Sequence, residues 1–219
     1  GQGAGGPEAD RGGYDSITFW SRGGVSGGVT PPGHPKPIGM PAGAFGDSLS
    51  GLTLAGGVSA AIAQKIATGK GAIVDGSLLG TAAWAMQMAT VGAAVAAAAT
   101  GGAPPAAAPL MANPLVNTYQ TSDGRWVALC MLQPDVYFDG VVRALDRADM
   151  LDDERFATPE ARAHNSQAIV DELDKAFAVL GFEDALAALR SQRGQWDVVN
   201  RPQDLINDPQ AIANRMVQQ

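Results

Sequence analysis

The sequence predicts an α/β protein composed of two parts that differ in composition. Residues 1–50 are rich in glycine, proline and serine, and the segment that follows them is apolar with helical spacing. No charged residue lies between Asp75 and Asp123, whereas charged and aromatic residues are frequent beyond Asp123. We therefore expect a small-residue α/β segment followed by a smaller, charged module with a hairpin and several helices.

The first part is expected to contain a short helix, a long loop and a longer helix. Tyr14–Arg22 is a short helical candidate, and Gly23–Phe45 is a loop whose length is typical of functional or disordered segments. From Ser48 to Thr68 the apolar residues recur at near-helical spacing. Gly69 suits the left-handed position just beyond the end of that helix.

Residues 72–99 are predicted to form a short strand and a long uncharged helix. Ala72–Asp75 is an apolar strand candidate, and Asp75 and Ser77 are suited to cap the next helix. Ser77–Ala99 spans 23 mostly apolar residues, which is long enough to cross a bilayer. It is rich in alanine, however, and lacks an aromatic belt and a flanking cluster of lysine or arginine. We therefore favour a helix buried between subunits, with a membrane span as the alternative.

The second part is predicted to begin with a hairpin. Residues 101–114 are a proline- and glycine-rich linker, and 117–132 read as two strands around a turn at Ser122, Asp123 and Gly124. Helices are expected at Asp135–Leu145, at 165–180 with Asn165 as its cap, at 182–192, and as a short helix and turn within 201–214.

Composition excludes several classes of function. The net charge is −7 and the isoelectric point is about 4.7, which argues against nucleic-acid binding because phosphates require clustered lysine and arginine. The two histidines, His34 and His164, lie far apart, which argues against a zinc site. The single cysteine, Cys130, excludes an internal disulfide and fits a reducing cytoplasm; its apolar surroundings predict a buried core position.

Asp47 stands alone in the stretch AFGDSLSG (44–51). The nearest charged residues are Lys36 and Lys65. One interpretation is that Asp47 caps the helix that begins near Ser48. The other is that Asp47 is a catalytic carboxylate directed into a cleft, and the two interpretations are compatible.

The sequence at both ends of the chain indicates that the polypeptide is longer. The chain opens on GQGAGGPEAD, without methionine or the features of a signal peptide, and closes on NRMVQQ without a clear stop. We therefore expect it to be a piece of a larger protein.

Six stretches, in order over nearly the whole chain, together resemble the class III coenzyme A transferases. This CaiB/BaiF-type family includes formyl-CoA transferase and carnitine CoA-transferase. No single stretch is specific, and the resemblance depends on all six in register. They are GGPEADRGGYDSITFWSRGG (5–24), GAFGDSLSGL (43–52), IATGKGAIVDGSLLGTAAW (66–84), NPLVNTYQTSDGRWVAL (113–129), DERFATPEARAHN (153–165) and LINDPQAIAN (205–214).

The resemblance implies a fold and an assembly. It implies a Rossmann-like large domain joined by a long helical linker to a small α+β domain, and a homodimer of two interlocked rings. Residues 1–78 would be part of the large domain with the catalytic aspartate, 79–112 the linker, 113–205 the small domain and 206–219 the start of a return linker. The uncharged helix would then lie among inter-domain and intersubunit helices, with no membrane involved. The chain would lack both the N-terminal and the C-terminal parts of the family.

The resemblance also implies a reaction and its nucleophile, Asp47. In this family the carboxylate attacks the thioester of an acyl-CoA, and an aspartyl–CoA thioester then passes CoA to a carboxylic acid. CoA is thus a cosubstrate, and no tightly bound cofactor and no metal are implied. We expect Ser48, Leu49 and Ser50 to form the first turn of the helix. Their N–H groups would then stabilise the oxyanion of each tetrahedral intermediate.

Further site residues follow from the resemblance. Tyr14 and Asp15 lie in a stretch that contacts CoA or the donor in the family, where related racemases carry a histidine at the position of Tyr14. A phenol is a poor base at neutral pH, so Tyr14 favours transfer over racemisation. Without the resemblance, Tyr14 is read as a core aromatic residue and Asp15 as a helix cap. The expected substrate- and CoA-binding residues are Gly12, Gly13, Tyr14, Asp15, Gly46 and Ser48.

Three functions stay open at this point. The first is CoA transfer between an acyl-CoA and a carboxylic acid by a cytoplasmic enzyme. The second is an acyl-CoA racemase or isomerase of the same fold. The third is a non-catalytic, membrane-associated fragment in which Ser77–Ala99 spans a bilayer.

Overall fold

In a computed structural model of the chain, the structure describes residues 1–101 and 113–217. The chain divides into two compact units, Gly1–Ala107 and Ala108–Gln219. Most of the expected linker at 101–114 lies outside the described residues. The four-part division of the chain stays a prediction.

The regular secondary structure described in the first unit is all helical. A π-helix, Asp15–Arg22, occupies the predicted short helix, and the predicted loop that follows contains one short helix. The helices of this unit after the π-helix are α1 (Val25–Val29), α2 (Phe45–Thr68), α3 (Leu78–Ala85) and α4 (Gln87–Ala99).

α2 begins three residues earlier than the sequence predicts, at Phe45 rather than Ser48. Ala44 precedes it in the left-handed region with φ 60°, which is uncommon for a residue that carries a side chain. Gly69 ends the helix in the left-handed conformation, and its N–H donates to the Lys65 carbonyl oxygen at 2.9 Å. The predicted end of this helix is confirmed, and the predicted start is wrong because Ala44 gave no sign of its conformation.

The predicted strand at Ala72–Asp75 is wrong. These residues have no regular secondary structure, and the Ile73 side chain is 97% exposed. A strand needs a neighbour to pair its N–H and C=O groups. The described residues contain one sheet, and it lies wholly in the second unit.

The uncharged stretch Ser77–Ala99 forms two helices rather than the continuous helix predicted. α3 and α4 meet at 67° around Met86, whose ψ of 9° departs from helical values. Ser77 caps α3 as predicted, since its Oγ accepts the Gly80 N–H at 3.0 Å, whereas Asp75 makes no capping bond. Within the described residues no single helix has the length and apolarity to cross a membrane, and only α3 and α4 taken as a bent pair meet that criterion.

The core of the first unit is small. Phe19 and Trp20 of the π-helix pack with Val25, Leu78 and Ala82, and each of these side chains is buried. Burial of a large apolar side chain contributes roughly 1.5–3 kcal/mol, so the π-helix is held mainly by two aromatic residues. In contrast, the apolar stripe of α2 is exposed.

The sheet of the second unit is antiparallel, in the order β1-β2-β3. β1 (Val116–Gln120) and β2 (Trp126–Cys130) form the predicted hairpin. Asp123 fixes its turn, because its carboxylate accepts the Thr121 hydroxyl at 2.6 Å and the Phe182 N–H at 3.2 Å, and these bonds lower the Asp123 pKa. β3 (Trp196–Val198) pairs with β2 and was not predicted.

The helices of the second unit cover this sheet. Tyr119 of β1 stacks on Phe177 with ring centroids 5.1 Å apart, and both side chains are fully buried. The predicted apolar faces are confirmed at Ile169, Leu173 and Leu189. The α-helices are α5 (Pro134–Ala144), α6 (Pro159–His164), α7 (Ser166–Ala178), α8 (Phe182–Arg190) and α9 (Pro209–Ala213), with 3₁₀ turns at Ala148–Leu151 and Asp204–Asn207.

Cys130 is exposed, so the predicted core position is wrong. Side chains alternate between the faces of a strand, and Leu129 and Met131 on either side of Cys130 are the buried residues. The apolar run was read correctly as a strand, but its phase was not.

The structure is therefore a mixed helix and sheet fold with a small antiparallel sheet. The described residues form only this sheet, so the Rossmann-like large domain stays a prediction.

Candidate active site

Asp47 is the third residue of α2 and its side chain is exposed. Its carboxylate makes no hydrogen bond or ion pair with the described residues, so both of its oxygens are free to react. The interpretation of Asp47 as the helix cap is wrong, because Ala44 occupies the cap position and Asp47 lies within the first turn.

The expected backbone donors are also displaced. The Ser48 N–H donates to the Ala44 carbonyl oxygen at 2.9 Å, so it is already engaged. Leu49 and Ser50 lie further into α2, where N–H groups bond the carbonyl four residues earlier. Among the described residues, the N–H groups of the first turn without a partner are those of Phe45 and Asp47.

The position of Asp47 favours negative charge. α2 has 24 residues, and the aligned peptide dipoles of a helix leave partial positive charge at its N-terminus. A carboxylate, an oxyanion or a thiolate near the first turn of α2 is therefore stabilised by the helix itself.

Asp15 connects the π-helix to the first turn of α2. It is 7% exposed, and its Oδ1 accepts the Gly46 N–H at 3.0 Å. Its Oδ2 is buried and has no partner among the described residues. Gly46 is needed for this approach, because a Cβ there would lie 2.3 Å from Phe19 Cγ and 2.5 Å from Asp15 Oδ1.

Two aromatic contacts hold the residue before Gly46. The Phe45 ring packs edge-on against Phe19, with centroids 6.3 Å apart, and against Trp20, with centroids 5.9 Å apart. Trp20 is fixed in turn by its Nε1–H, which donates to the Ile38 carbonyl oxygen at 2.8 Å. The π-helix and the following loop thus position the start of α2.

The other expected site residues lie at the surface near this junction. Tyr14 is 76% exposed, so its interpretation as a core aromatic residue is wrong. Ser48 and Gly12 are exposed, and a Cβ on Gly12 would meet no atom within 4 Å. Gly13 has a local reason to be glycine, since a Cβ there would lie 2.7 Å from Thr18 Oγ1.

A shallow pocket of about 290 Å³ opens beside Asp47. Ser50, one turn further along α2, contributes to its wall, and the Ser50 Oγ is buried with no partner among the described residues. The remaining lining residues are Gly1, Gly51, Leu54, Gly76, Ser77 and Leu78.

The cations near the loop are mostly neutralised. Arg11 and Arg22 both pair with Glu8, and the hydrogen bond from Arg22 lowers the Glu8 pKa. The Lys36 side chain makes no ion pair with the described residues, and the Lys36 carbonyl oxygen lies 2.5 Å from His34 Nδ1.

Among the described residues, no group of three or more histidine, cysteine, aspartate or glutamate side chains is arranged to hold a metal ion.

Several residues that build this site could not be recognised from the sequence. Phe19, Trp20 and Phe45 are ordinary apolar positions until the fold brings the π-helix against α2. Ala44 carries no signal for a left-handed conformation, which glycine or asparagine usually adopts. Gly46, the glycine before Asp47, was expected only as a contact to substrate or CoA, whereas the structure shows that Asp15 and Phe19 approach it closely.

The comparisons with known proteins agree over the whole chain. The model of the family described as CoA-transferase family III matches residues 1–219. The chain is 31% identical over 214 residues to (R)-2-hydroxy-4-methylpentanoate CoA-transferase of Clostridioides difficile. This alignment covers 98% of this chain and 52% of that protein. It is 31% identical over 227 residues to cinnamoyl-CoA:phenyllactate CoA-transferase of Clostridium sporogenes, over 98% of this chain and 51% of that protein. The chain spans about half the length of these relatives.

Solved structures share the fold. A CaiB/BaiF family protein from Brucella suis matches 97% of this chain and 54% of its own, with a TM-score of 0.74 and 27% identity. The protein Rv3272 from Mycobacterium tuberculosis matches 98% of this chain and 54% of its own, with a TM-score of 0.77 and 20% identity. The resemblance carried by the six sequence stretches is confirmed, and the chain belongs to CoA-transferase family III.

Proposed function

We propose that this chain carries the nucleophile of an enzyme that moves coenzyme A from an acyl-CoA donor to a carboxylic acid, and that the nucleophile is Asp47. The observation that carries the proposal is the exposed Asp47 carboxylate in the first turn of α2, which has no partner among the described residues. Membership of the family supports the reaction class.

The first half of the reaction loads CoA onto Asp47. A carboxylate oxygen attacks the acyl carbonyl carbon of the donor, the C–S bond breaks, and CoA leaves as its thiolate. The product is a mixed anhydride between the acyl group and Asp47. The thiolate then attacks the Asp47 carbonyl carbon, releasing the donor acid as a carboxylate and leaving an aspartyl–CoA thioester.

The second half reverses these steps with another acid. The acceptor carboxylate attacks the Asp47 thioester, CoA thiolate leaves, and a second anhydride forms. The thiolate attacks the acceptor carbonyl, which releases the new acyl-CoA and restores the Asp47 carboxylate. No proton, electron or water is consumed, so the reaction needs no redox cofactor.

Each tetrahedral intermediate places negative charge beside the start of α2. The unpartnered N–H of Asp47 and the helix dipole are suited to stabilise that charge. This proposal replaces the donors expected at Ser48, Leu49 and Ser50. Tyr14, Gly12, Gly13 and Ser48 remain proposed contacts to CoA or substrate.

The relatives suggest which substrates to try first. The proteins from C. difficile and C. sporogenes are named for 2-hydroxy acids, 2-hydroxy-4-methylpentanoate and phenyllactate. Two further relatives are named for succinyl-CoA, with glutarate in the human protein and D-citramalate in that of Chloroflexus aurantiacus. We propose a carboxylic acid acceptor, and a panel of 2-hydroxy acids and dicarboxylic acids covers these chemistries.

Racemisation is the second candidate within the fold. Racemisation requires a base on each side of the α-carbon. At the position of Tyr14, related racemases carry a histidine. The phenol makes this candidate the weaker one. We also propose a cytoplasmic homodimer, on the family resemblance and the single cysteine.

The experiment is a transfer assay of the full-length protein with acyl-CoA donors and the acceptor panel. We expect Asp47→Ala to abolish transfer, because no other group forms the covalent intermediate. Asp184→Ala is the matched control, since Asp184 is also an exposed third residue of a helix, α8, without a partner among the described residues. Full transfer by Asp47→Ala would overturn the proposal. Deuterium entry at the α-carbon without transfer would establish the racemase instead.

A further inference from the structure

We propose that Asp15 is a positioning residue that aligns the Asp47 carboxylate through the backbone of Gly46, rather than a group that contacts substrate. The inference rests on the proposed function, because it takes Asp47 to be the nucleophile. It starts from the bond between Asp15 Oδ1 and the Gly46 N–H, which is 3.0 Å long, buried, and joins residues 31 positions apart.

The first turn of α2 needs an external hydrogen-bond acceptor. The opening N–H groups of any α-helix have no partner within the helix, and a side chain at the cap position usually accepts one of them. Ala44 occupies that position in α2 and has no acceptor in its side chain. Asp15 supplies the missing acceptor from the π-helix.

The bond fixes the residue directly before the nucleophile. Gly46 is buried against Asp15 and Phe19, and the Phe45 ring makes T-shaped contacts with Phe19 and Trp20. Successive residues of a helix point about 100° apart, so a buried Gly46 turns the neighbouring Asp47 outward. Contacts with the π-helix thus fix Phe45 and Gly46, and the Asp47 side chain extends from this turn toward solvent.

The burial of Asp15 argues against direct contact with substrate. The residue is 7% exposed, its Oδ1 is occupied by Gly46, and its Oδ2 is buried. A substrate could reach it only if the π-helix separated from α2. A role through the backbone requires no such movement.

Loss of the bond should act on the rate of the covalent step. A misplacement of a reacting group by about 1 Å can lower a rate about 100-fold. We therefore expect Asp15→Ala to slow formation of the Asp47–CoA adduct by about 10- to 100-fold, with little change in KM. Asp15→Asn keeps an oxygen that can accept the Gly46 N–H, so it should retain most of the rate.

The experiment measures two quantities on the full-length protein and its variants. One is the single-turnover rate of adduct formation per folded molecule. The other is hydrogen–deuterium exchange in the peptide that covers residues 44–50. Asp208→Ala is the matched control, because the Asp208 carboxylate also accepts a helix N–H, that of Ala211 at 2.8 Å, but it caps α9.

The expected result is faster exchange in 44–50 together with a slower adduct rate in Asp15→Ala, and near-normal values in Asp15→Asn and Asp208→Ala. Unchanged exchange in Asp15→Ala would overturn the inference, as would faster exchange with an unchanged adduct rate. Slow adduct formation in both Asp15 variants, with exchange protected in Asp15→Asn, would assign Asp15 a direct role and overturn it too. If the wild-type protein forms no adduct, the proposed function fails and this inference fails with it, while the exchange result still reports separately whether Asp15 holds the turn.

Discussion

Gly46 shows how a single missing side chain shapes the candidate site. Its N–H reaches Asp15 and its Cα faces the Phe19 ring, and no other residue type fits between them without displacing one. The glycine is also in a helix, where glycine costs about 1 kcal/mol relative to alanine. We infer that close packing at this position outweighs helix propensity.

Gly46→Ala is therefore expected to destabilise the protein. The added Cβ would lie 2.3 Å from Phe19 Cγ. The Phe19 ring also packs against Phe45, which limits how far it can move away. Overpacking of this kind costs about 1–3 kcal/mol. The measurement is the free energy of unfolding in urea, with Asp47 adduct formation as a second readout.

Gly140→Ala in α5 is the control for Gly46→Ala. A Cβ on Gly140 meets only Gln192 Cβ, at 3.7 Å, so the change should be neutral or stabilising by up to about 1 kcal/mol. A Gly46→Ala protein that is as stable as Gly140→Ala would contradict the packing account.

Among single residues, the sequence singled out the proposed nucleophile, Asp47, but not the residues around it. Asp47 was singled out because no charge lies near it, and the structure leaves its carboxylate without a partner among the described residues. The conformation of Ala44 and the occupied N–H of Ser48 could not be predicted, because both depend on where α2 begins. That start is set by contacts with the π-helix, which is 23 or more positions earlier in the chain.

The helices and strands of the second unit agree better with the sequence predictions than those of the first unit. The hairpin and the helices α5, α7 and α8 were predicted because their periodicity and turn residues are local properties. β3 was missed because three residues are too few to show alternation, and residues 72–75 were wrongly read as a strand because a strand depends on its partner. The bend between α3 and α4 also had no local signal, since neither glycine nor proline lies at Met86.

Ion pairs join the 3₁₀ turn Ala148–Leu151 to α7. Arg147 donates to Asp149 at 2.9 Å and to Glu172 at 2.7 Å, and Lys175 donates to Glu172 at 2.8 Å. The hydrogen bonds from Lys175 and Arg147 lower the pKa of Glu172 below its usual value of 4.5. The ionised form of Glu172 is therefore favoured by folding.

This linkage predicts a pH dependence for Glu172→Gln. A lowered pKa in the folded state contributes stability that is fully present above the unfolded value of 4.5 and is lost as the pH falls through the folded value. We expect the variant to be less stable than wild type at neutral pH, by on the order of 1 kcal/mol for partly exposed pairs. The difference should vanish in acid, as measured by urea unfolding at several pH values.

Glu154→Gln is the control for this effect, because Glu154 is exposed and makes no ion pair with the described residues. Its stability should follow that of wild type at every pH. A Glu172→Gln deficit that persists unchanged in acid would show that lost packing, not charge, causes it.

For the whole molecule, the two units differ in how much of their apolar surface is buried. The second unit has a contiguous core, whereas in the first unit large side chains of α2 remain exposed, with Leu52 at 74% and Ile66 at 82%. Contiguous exposed apolar surface usually marks an interface. The chain also spans about half the length of its relatives, so we propose that activity belongs to the longer protein and its dimer.

The fold could be predicted from the sequence as far as its family, and the candidate site as far as the one residue proposed as nucleophile, Asp47. Six stretches in register were sufficient for the family because each contributes independent weak information. The junction between the π-helix and α2 could not be foreseen, since it depends on Asp15, Phe19 and Trp20 meeting Phe45 and Gly46 across the long loop.

The role of Asp47 is best tested by mass spectrometry of the intact full-length protein after incubation with acyl-CoA donors, with and without hydroxylamine, followed by peptide mapping. We expect a CoA adduct on the peptide that contains Asp47, its conversion to a hydroxamate by hydroxylamine, and its absence in Asp47→Ala. An adduct on another residue, or efficient CoA transfer with no hydroxylamine-sensitive adduct at Asp47, would show that Asp47 is not the nucleophile.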